Sequence, residues 1–341
     1  MKPMTNTMLA VVKEKPEAGV TIKQIPVPKP SEGELLIKVK KASICGTDIG
    51  IYDWTPWAQD HIKPPIVIGH EVLGEVVEIN AQEPTAIKVG DLVSSETHIF
   101  CGQCQLCKAN KRHICENMEL FGIGRNGGFS EYATIPIRTS WRNDREIKEE
   151  WMSVQEPFGN AVHAISKARV EGKIVVIFGM GPTGLAASAV AKAYGASQVI
   201  GVDPVEYRRN LATAMGCDQV HDALPKEFDN KCDIVIDMSG YPPAIARGFE
   251  AVRIGGTMMA FGIPKTKIEI DWGKYMINKE LTILSVFGRH IWETWEETTR
   301  LLKSGKINLD PIITHRFKLS EFEEAMAIMK SGQSGKIVLT P

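Results

Sequence analysis

The stretch Ile174-Val-Val-Ile-Phe-Gly-Met-Gly-Pro-Thr-Gly184 decides the fold class of this 341-residue sequence. It opens with an unbroken apolar run, which is typical of a strand buried on both faces of a parallel sheet. It then fits G-x-G-x-x-G at the start of a helical stretch at 182–194, and Asp203 ends the next predicted strand. Strand, glycine-rich turn, helix and downstream acidic residue together predict an α/β domain with a doubly wound parallel sheet of the Rossmann type.

The residues of this stretch have separate functions in a dinucleotide site. Gly179 permits a tight turn, Gly181 lets the backbone approach a pyrophosphate, and Gly184 lets helix and strand pack closely. The helix N-terminus offers free N–H groups to the phosphates. We expect Asp203 to accept hydrogen bonds from the adenosine ribose, which favours NAD, although Arg208 is able to bind the additional phosphate of NADP. A glycine-rich turn that binds no ligand is the alternative, and the surrounding strand and helix disfavour it.

Three segments of different pattern predict the domain organisation, and the length alone suggests more than one domain. Residues 1–155 contain short apolar or alternating runs separated by Pro and Gly, which predicts a mainly β, barrel-like domain. Residues 156–293 alternate strands with helices and form the parallel-sheet domain. Residues 294–341 do not continue this alternation, so we predict that they return to the first domain.

The charge balance and hydropathy limit the classes of partner. Lys plus Arg number 40 and Asp plus Glu number 41, giving a formal net charge of −1. Such a balance argues against nucleic acid and anionic membrane surfaces as partners. No apolar run approaches the roughly 20 residues of a spanning helix, and Met1–Ala10 lacks the apolar core of a signal peptide. We therefore expect a cytoplasmic protein.

Four of the seven cysteines form a cluster, Cys101, Cys104, Cys107 and Cys115, with the spacing C-x2-C-x2-C-x7-C. Four thiolates so close in sequence can surround one tetrahedral Zn²⁺, and a Cys₄ shell without an open position indicates a structural site. Iron–sulfur ligation is the alternative, but its bacterial motif places the fourth cysteine close behind the third and before Pro. A zinc ribbon that binds nucleic acid is disfavoured by the neutral charge.

A second group of residues has the composition of a catalytic zinc site. Cys45, in Cys-Gly-Thr-Asp, and His70, in Gly-His-Glu, are suitable ligands for a zinc ion that keeps one position for substrate. Glu71 and Glu156 are candidate oxygen ligands, and each is equally well explained as a hydrogen-bond partner of a ligand. Zinc lowers the pKa of an alcohol, so hydride can leave for the nicotinamide while Thr47 carries the proton away.

These motifs together resemble the zinc-containing medium-chain alcohol dehydrogenase family over essentially the whole chain. Cys45 and His70 match two ligands of the family's Cys₂His catalytic site, and Glu156 replaces the remaining cysteine. The segment Glu156-Pro-Phe-Gly-Asn-Ala-Val-His163 resembles the branch that oxidises L-threonine. Further segments that resemble this branch are 51–59, 96–99, 288–295, 311–317 and 331–336.

The resemblance implies a GroES-like catalytic domain, and NAD-linked oxidation of the 3-hydroxyl of L-threonine to 2-amino-3-oxobutanoate by a homotetramer. It implies that Cys45, His70 and Glu71 hold the catalytic zinc, with Glu156 beside it, and that His98 lines the substrate pocket. The implied contacts with NAD, beyond the three glycines, are Thr183, Asp203, Arg208, Phe261, Gly262, Ile263, Val286 and Phe287.

One position departs from the branch that oxidises threonine. Its members read C-G-T-D-x-H, with a histidine in the proton relay beside the threonine, whereas this chain has Gly50. The relay must then run from Thr47 through a cofactor hydroxyl to water, or through His61 or His98. A polyol or sugar-alcohol dehydrogenase with the same mechanism is therefore the main alternative. A non-catalytic protein that binds zinc and nucleotide, and a zinc-free quinone reductase, fit the metal motifs less well.

Overall fold

The structure is a computed structural model that describes residues 6–341. In chain order, its strands are β1 (Thr7–Lys13), β2 (Thr21–Pro26), β3 (Glu34–Ser43), β4 (Ile66–Val67), β5 (Glu71–Asn80), β6 (Leu92–Ser95), β7 (His98–Ile99), β8 (Glu119–Leu120), β9 (Tyr132–Pro136), β10 (Ser140–Arg142), β11 (Ile174–Phe178), β12 (Gln198–Val202), β13 (Gln219–His221), β14 (Cys232–Asp237), β15 (Val252–Ala260), β16 (Thr282–Ser285), β17 (Ile313–Lys318) and β18 (Lys336–Thr340).

The α-helices in these residues are α1 (Gly46–Tyr52), α2 (Pro56–His61), α3 (Gln105–Lys108), α4 (Glu149–Ser153), α5 (Gln155–Ala168), α6 (Pro182–Ala193), α7 (Glu206–Ala214), α8 (Pro242–Ala251), α9 (Glu293–Lys303) and α10 (Phe322–Ser331). Single helical turns of other types lie at Arg112–Ile114, Ile137–Thr139, Lys226–Phe228, Gly273–Ile277, Asp310–Ile312 and Leu319–Glu321. None of the helices in residues 6–341 has both the length and the apolar character needed to cross a membrane.

The chain folds into two compact units. The first contains the described residues up to Glu156 together with Ile313–Pro341, and the second contains Pro157–Ile312. The return to the first unit thus begins at Ile313, later than the expected position 294, because α9 belongs to the second unit. The prediction that Met1–Ala10 lacks the apolar core of a signal peptide lies partly outside the described residues, since the description starts at residue 6.

The first unit is built mainly of antiparallel β-sheet. Its largest sheet has the order β10-β6-β5-β3-β18-β17, and β9 also pairs with β3. Smaller sheets have the orders β2-β1-β4 and β7-β8. The strands β3 and β5 each begin with four buried residues, and buried and exposed positions alternate only over part of each strand; their apolar side chains pack with Phe129 in the core. The strand β18 pairs antiparallel with β3, opposing Val338 to Ser43.

The second unit has a parallel sheet with the order β13-β12-β11-β14-β15-β16. This is the strand order of a doubly wound dinucleotide-binding fold, so the predicted fold class is confirmed. The strands β11 and β14 lie at the centre and are apolar on both faces, as expected for strands covered by helices on both sides. The helix α8 ends at Ala251, and β15 begins at the next residue.

Candidate metal centres and dinucleotide site

The first unit brings together Cys45, His70 and Glu71. The sulfur, a ring nitrogen and a carboxylate oxygen of these residues all lie within 4.8 Å of one another. Cys45 is the N-cap of α1, two residues after the end of β3, and His70 directly precedes β5. The antiparallel pairing of β3 with β5 opposes Ser43 to Glu71, so the ends of the two strands carry these residues to the same place.

The chain reaches His70 through a turn that only glycine allows. Gly69 has a φ of +94°, and a Cβ at this position would lie 2.3 Å from the ring of Phe129. Both the left-handed backbone and the contact with the buried ring exclude a side chain. The short Gly-His-Glu motif therefore fixes the direction in which the His70 imidazole enters the cluster.

Asp48, the last residue of the Cys-Gly-Thr-Asp motif, is a member of this site whose function the sequence did not predict. Its Oδ2 accepts the backbone N–H of Cys45 at 2.8 Å, and its Oδ1 lies 3.7 Å from His70 Nδ1. Burial raises the pKa of Asp48 to about 6, against the opposing effect of His70. Burial disfavours the charged imidazole, but Asp48 and Cys45 outweigh burial and raise the pKa of His70 to about 10. A carboxylate beside a histidine ligand orients the ring and increases its basicity.

Glu71 has a second set of partners that the sequence did not reveal. Its side chain is fully buried, and Lys336 of β18, also buried, donates to Glu71 Oε1 at 2.5 Å and to the carbonyl of Ile44 at 3.1 Å. The Ser43 hydroxyl donates to Glu71 Oε2. Burial disfavours the ammonium, but Glu71 outweighs burial, so the pKa of Lys336 lies above its ordinary value. A cation that binds Glu71 must therefore share this carboxylate with Lys336.

The three residues predicted to act in catalysis lie in the same unit. Thr47 Oγ1 is 3.8 Å from Cys45 Sγ. Glu156, in the first turn of α5, lies outside the three-residue cluster, but its negative charge helps to raise the pKa of both His70 and Lys336. His98 is buried in β7, with its Nδ1 3.5 Å from Glu96 Oε1.

Of the two histidines that could take part in the proton relay, His61 is exposed and His98 is buried. His61 lies in the last turn of α2, and its Nδ1 is 2.7 Å from the carbonyl of Trp57. Its ring stacks on the Trp57 indole, with 4.6 Å between ring centroids. This exposed imidazole is engaged by its own helix, whereas His98 is buried.

The donors in the first cluster fit a zinc ion. Thiolate, imidazole and carboxylate are the ligands that zinc takes in proteins, and three protein ligands leave a position for substrate. Within residues 6–341, His70 Nδ1 is buried without a hydrogen-bond partner, and the nearby Asp48 can accept from it after a small adjustment. The residues therefore suit a catalytic rather than a purely structural metal.

The second cysteine cluster also assembles as a metal site. The four sulfur atoms of Cys101, Cys104, Cys107 and Cys115 lie within 4.8 Å of one another, and all seven cysteines of the chain are free thiols. Backbone N–H groups of Cys101 and Cys107 donate to cluster sulfurs at 3.3 and 3.4 Å. Donors from Gln103 and Cys104 lower the pKa of Cys101 to about 6, and burial raises the pKa of Cys107 to about 12. Four converging sulfurs fit a closed tetrahedral zinc site.

In the second unit, the residues predicted to bind NAD follow the carboxyl ends of the parallel strands. Gly179 follows β11, Asp203 follows β12, Phe261 follows β15 and Val286 follows β16. The carboxyl edge of a doubly wound sheet is where such folds bind their ligands. The remaining predicted residues lie beside these positions: Thr183 in the first turn of α6, Arg208 in α7, Gly262 and Ile263 after β15, and Phe287 after β16.

The glycine-rich turn has the geometry that a bound pyrophosphate needs. Gly179 has a φ of +90°, and a Cβ at Gly184 would lie 1.9 Å from the carbonyl oxygen of Gly179. A Cβ at Gly181 would meet no atom within 4 Å, so this N-cap of α6 faces open space. The positive φ of Gly179 and the close contact at Gly184 fix the turn, and the open N-terminus of a 12-residue helix provides room and donors for an anion.

Asp203 makes hydrogen bonds to the backbone of the turn, in addition to the contact with the ribose that the sequence predicts. It is 3% exposed, its Oδ2 accepts the N–H of Met180 at 2.9 Å, and its Oδ1 accepts the N–H of Val205 at 2.9 Å. Arg208 Nη1 lies 3.7 Å from Asp203 Oδ2. The carboxylate thus holds the glycine-rich turn to the end of β12, and the arginine lies close enough to share its charge.

Asp237 is a further residue of this edge that the sequence analysis missed. It ends β14, is 1% exposed and accepts N–H groups from Ser239 at 3.0 Å and Gly240 at 3.1 Å. Burial keeps the pKa of Asp237 above its ordinary value. A Cβ at Gly262 would lie 2.1 Å from the nitrogen of Gly240, so this carboxylate shapes the loop against which the predicted 261–263 stretch packs.

Known families match both parts of the chain. The GroES-like domain of alcohol dehydrogenases matches residues 31–143, and the zinc-binding dehydrogenase domain matches residues 182–304. The L-threonine 3-dehydrogenase of Pyrococcus furiosus is 45% identical in sequence, with 98% of this chain and 99% of that protein covered. The chain belongs to the zinc-binding alcohol dehydrogenase family. The predicted resemblance is confirmed.

Solved structures of other zinc-binding dehydrogenases and their relatives have the same fold. One, described as a zinc-binding dehydrogenase of Sinorhizobium meliloti 1021 bound to NADP, is 25% identical with a TM-score of 0.90, covering 99% of this chain and 100% of its own. An alcohol dehydrogenase of Escherichia coli CFT073 complexed with NADH is 26% identical, with the same TM-score and coverage. The predicted enzyme class, a zinc-dependent alcohol dehydrogenase with a nicotinamide cofactor, is confirmed.

Proposed function

We propose that this zinc-binding dehydrogenase oxidises the 3-hydroxyl of L-threonine to give 2-amino-3-oxobutanoate, with NAD as the hydride acceptor. The assembly of Cys45, His70 and Glu71 into one cluster carries this proposal, because it supplies the donors of a catalytic zinc. The choice of substrate is supported by the relative from Pyrococcus furiosus, which is named L-threonine 3-dehydrogenase and is covered over nearly its whole length.

The residues of the first unit would have separate roles in the proposed oxidation. A zinc ion held by Cys45, His70 and Glu71 would supply Lewis acidity and lower the pKa of the substrate hydroxyl. Thr47, 3.8 Å from Cys45 Sγ, accepts the proton of that hydroxyl and passes it on. Glu156 lies beside the cluster as an alternative ligand or as a partner of the substrate, and His98 lines the substrate pocket.

The second unit would bind the cofactor, and the first would perform catalysis. Gly179, Gly181 and Gly184 provide the tight turn for the pyrophosphate, as their geometry supports. Asp203 favours NAD over NADP because its buried charge repels a second phosphate on the ribose. We further propose two zinc ions in each chain, one catalytic and one structural, the latter in the cluster of four cysteines that begins at Cys101.

The enzyme is proposed to be a cytoplasmic homotetramer. Among residues 6–341, β16 pairs on one side only, with β15, and most of its residues are exposed. Ile283 in this strand is 46% exposed, and an uncovered strand edge is a surface that a second copy can cover. Sedimentation or light scattering measures the assembly, and a monomer at micromolar concentration would contradict it.

A substrate panel tests the proposed reaction. Zinc-loaded protein and NAD are mixed with L-threonine, and in parallel with sorbitol, threitol and other small polyols, and NADH formation is followed by absorbance. We expect kcat/KM for L-threonine to exceed that for every polyol by at least about tenfold. A chelated, zinc-depleted sample is the control, and higher kcat/KM for a polyol would refute the choice of substrate but not the chemistry.

A polyol dehydrogenase is the second candidate, and Gly50 is the observation that favours it. A Cβ at this position would lie 3.3 Å from Thr55 Oγ1, whose hydroxyl donates to the Gly50 carbonyl at 3.2 Å. Thr55 therefore occupies the space beside the position where threonine-oxidising relatives carry a histidine. If the proposed function is correct, Gly50→His keeps or increases kcat with L-threonine, whereas Gly50→Ala, the matched control, does not increase it.

A further inference from the structure

A buried threonine hydroxyl joins the cluster to Glu156. Thr97 lies between β6 and β7 and is 4% exposed. Its Oγ1 is 3.1 Å from Glu156 Oε1 and 3.4 Å from the carbonyl oxygen of His70. Both neighbours belong to residues that are themselves less than one-tenth exposed. The hydroxyl therefore lies between the backbone of a predicted zinc ligand and the carboxylate of the other candidate oxygen ligand, Glu156.

The chemistry of a hydroxyl limits what Thr97 can do in this place. It has one proton, so it can donate to only one of the two acceptors at a time. The carboxylate is the better acceptor, because a hydrogen bond to a charged group is roughly twice as strong as one to a neutral group. When Glu156 moves away, the same proton can turn to the carbonyl of His70. The buried hydroxyl of Thr97 thus has a hydrogen-bond acceptor whether or not Glu156 is beside it.

We propose that Thr97 is the positioning residue for Glu156. Its hydroxyl holds one carboxylate oxygen beside the cluster, and the His70 carbonyl is the acceptor to which it can turn when that oxygen is engaged elsewhere. This role of Thr97 deepens the proposed function. It rests on that function only in the kinetic assays, in which an alcohol substrate reports on Glu156. Thr97 itself touches no reacting atom, so it acts entirely through the carboxylate.

Three variants separate the hydroxyl of Thr97 from its bulk. Thr97→Val keeps the shape and removes the hydroxyl, whereas Thr97→Ser keeps the hydroxyl and removes a methyl group. Thr139→Val is the matched control, because Thr139 is buried in the same unit and donates only to a backbone carbonyl, that of Pro136, at 3.2 Å. A role in packing alone predicts that the valine variant is better tolerated than the serine variant.

Steady-state kinetics measure the effect on Glu156. We expect Thr97→Val to lower kcat about tenfold or more, the equivalent of one hydrogen bond to a charged group. We expect the KM for NAD to change less than twofold, Thr97→Ser to keep most of the kcat, and Thr139→Val to keep all of it. In the Glu156→Gln background, Thr97→Val should cause no comparable further loss, because the partner of the hydroxyl has lost its charge.

A spectroscopic measurement tests the inference without turnover. With cobalt in place of the catalytic zinc, we expect Thr97→Val to shift the visible absorption bands, and Thr97→Ser to leave them unchanged. Unshifted bands in Thr97→Val, or equal losses of kcat with and without the Glu156 carboxylate, would overturn the positioning role. If no alcohol is oxidised by the unmodified enzyme, the proposed function fails, while the cobalt spectra still decide the role of Thr97.

Discussion

Removing the ammonium of Lys336 is expected to destabilise the first unit strongly. Lys336→Met keeps an unbranched apolar stem but leaves the Glu71 carboxylate, which is fully buried, without its cation. Breaking a buried ion pair by removing one partner costs about 3–5 kcal/mol, because the remaining charge cannot be hydrated. The hydrogen bond from Ser43 stays, but it does not neutralise the charge.

The expected loss is large enough to be read from thermal unfolding. A domain of about 150–250 residues loses roughly 2–4 °C of Tm for each kcal/mol, so the variant should unfold about 6–20 °C earlier. A zinc ion bound at Glu71 would supply a replacement positive charge. The difference between Lys336→Met and the unmodified protein should therefore be smaller when the catalytic site is loaded with zinc than when it is empty.

The assay compares Lys336→Met with a lysine-to-methionine change on the neighbouring strand. Lys41 lies in β3, is only partly buried, and donates to the neutral hydroxyl of Thr340 at 3.0 Å. Lys41→Met should change the stability by less than about 1 kcal/mol. Unfolding is followed by circular dichroism, and the zinc content of each sample is measured by mass spectrometry. Equal Tm values for the two variants would show that the Glu71 carboxylate does not depend on this ion pair.

Three further changes test the two metal sites and the dinucleotide site. Cys45→Ser should abolish NADH formation, while the protein stays folded and keeps one zinc per chain; full activity would end the catalytic assignment of this cluster. Cys104→Ser should instead lower the Tm and the zinc content, because a closed four-cysteine site contributes directly to folding, and unchanged values of both would refute a structural metal there. Asp203→Ala should weaken NAD binding, because it leaves the N–H groups of Met180 and Val205 without their acceptor. Because it also removes a negative charge, it should reduce the ratio of kcat/KM for NAD over that for NADP by about tenfold or more. An unchanged cofactor ratio in that variant would show that another residue selects the cofactor.

The parts of the molecule that could be predicted from the sequence are those that are specified within short segments. The turn from Gly179 to Gly184 carries its own requirements, because Gly179 has a positive φ, Gly184 packs against the Gly179 carbonyl, and Gly181 leaves open space for a ligand. The same holds for the cysteines between Cys101 and Cys115, whose spacing alone allows four sulfurs to converge. Strand β11 was recognisable because burial on both faces leaves an unbroken apolar run.

The partners of the cluster formed by Cys45, His70 and Glu71 could not be predicted, because they come from distant parts of the chain. Lys336 reaches Glu71 only because β18 adds itself beside β3, and no local pattern marks the register of that pairing. Thr97 joins Glu156 to the His70 backbone across the same unit. For Asp48 a signal existed, since it follows Cys45 by three residues and caps the same helix, but its contact with the imidazole depends on the tertiary fold.

The position of β18 in the first unit has a consequence for synthesis in the cell. All of Pro157–Ile312 is translated between β5, which carries Glu71, and β18, which carries Lys336. At about 5–20 residues per second this interval lasts on the order of ten seconds or more. During that time Glu71 has no ammonium partner, whereas the cysteines from Cys101 to Cys115 are already complete as a ligand set. A nascent chain can therefore offer its complete set of four cysteines to a metal ion long before Glu71 acquires the lysine that balances its charge.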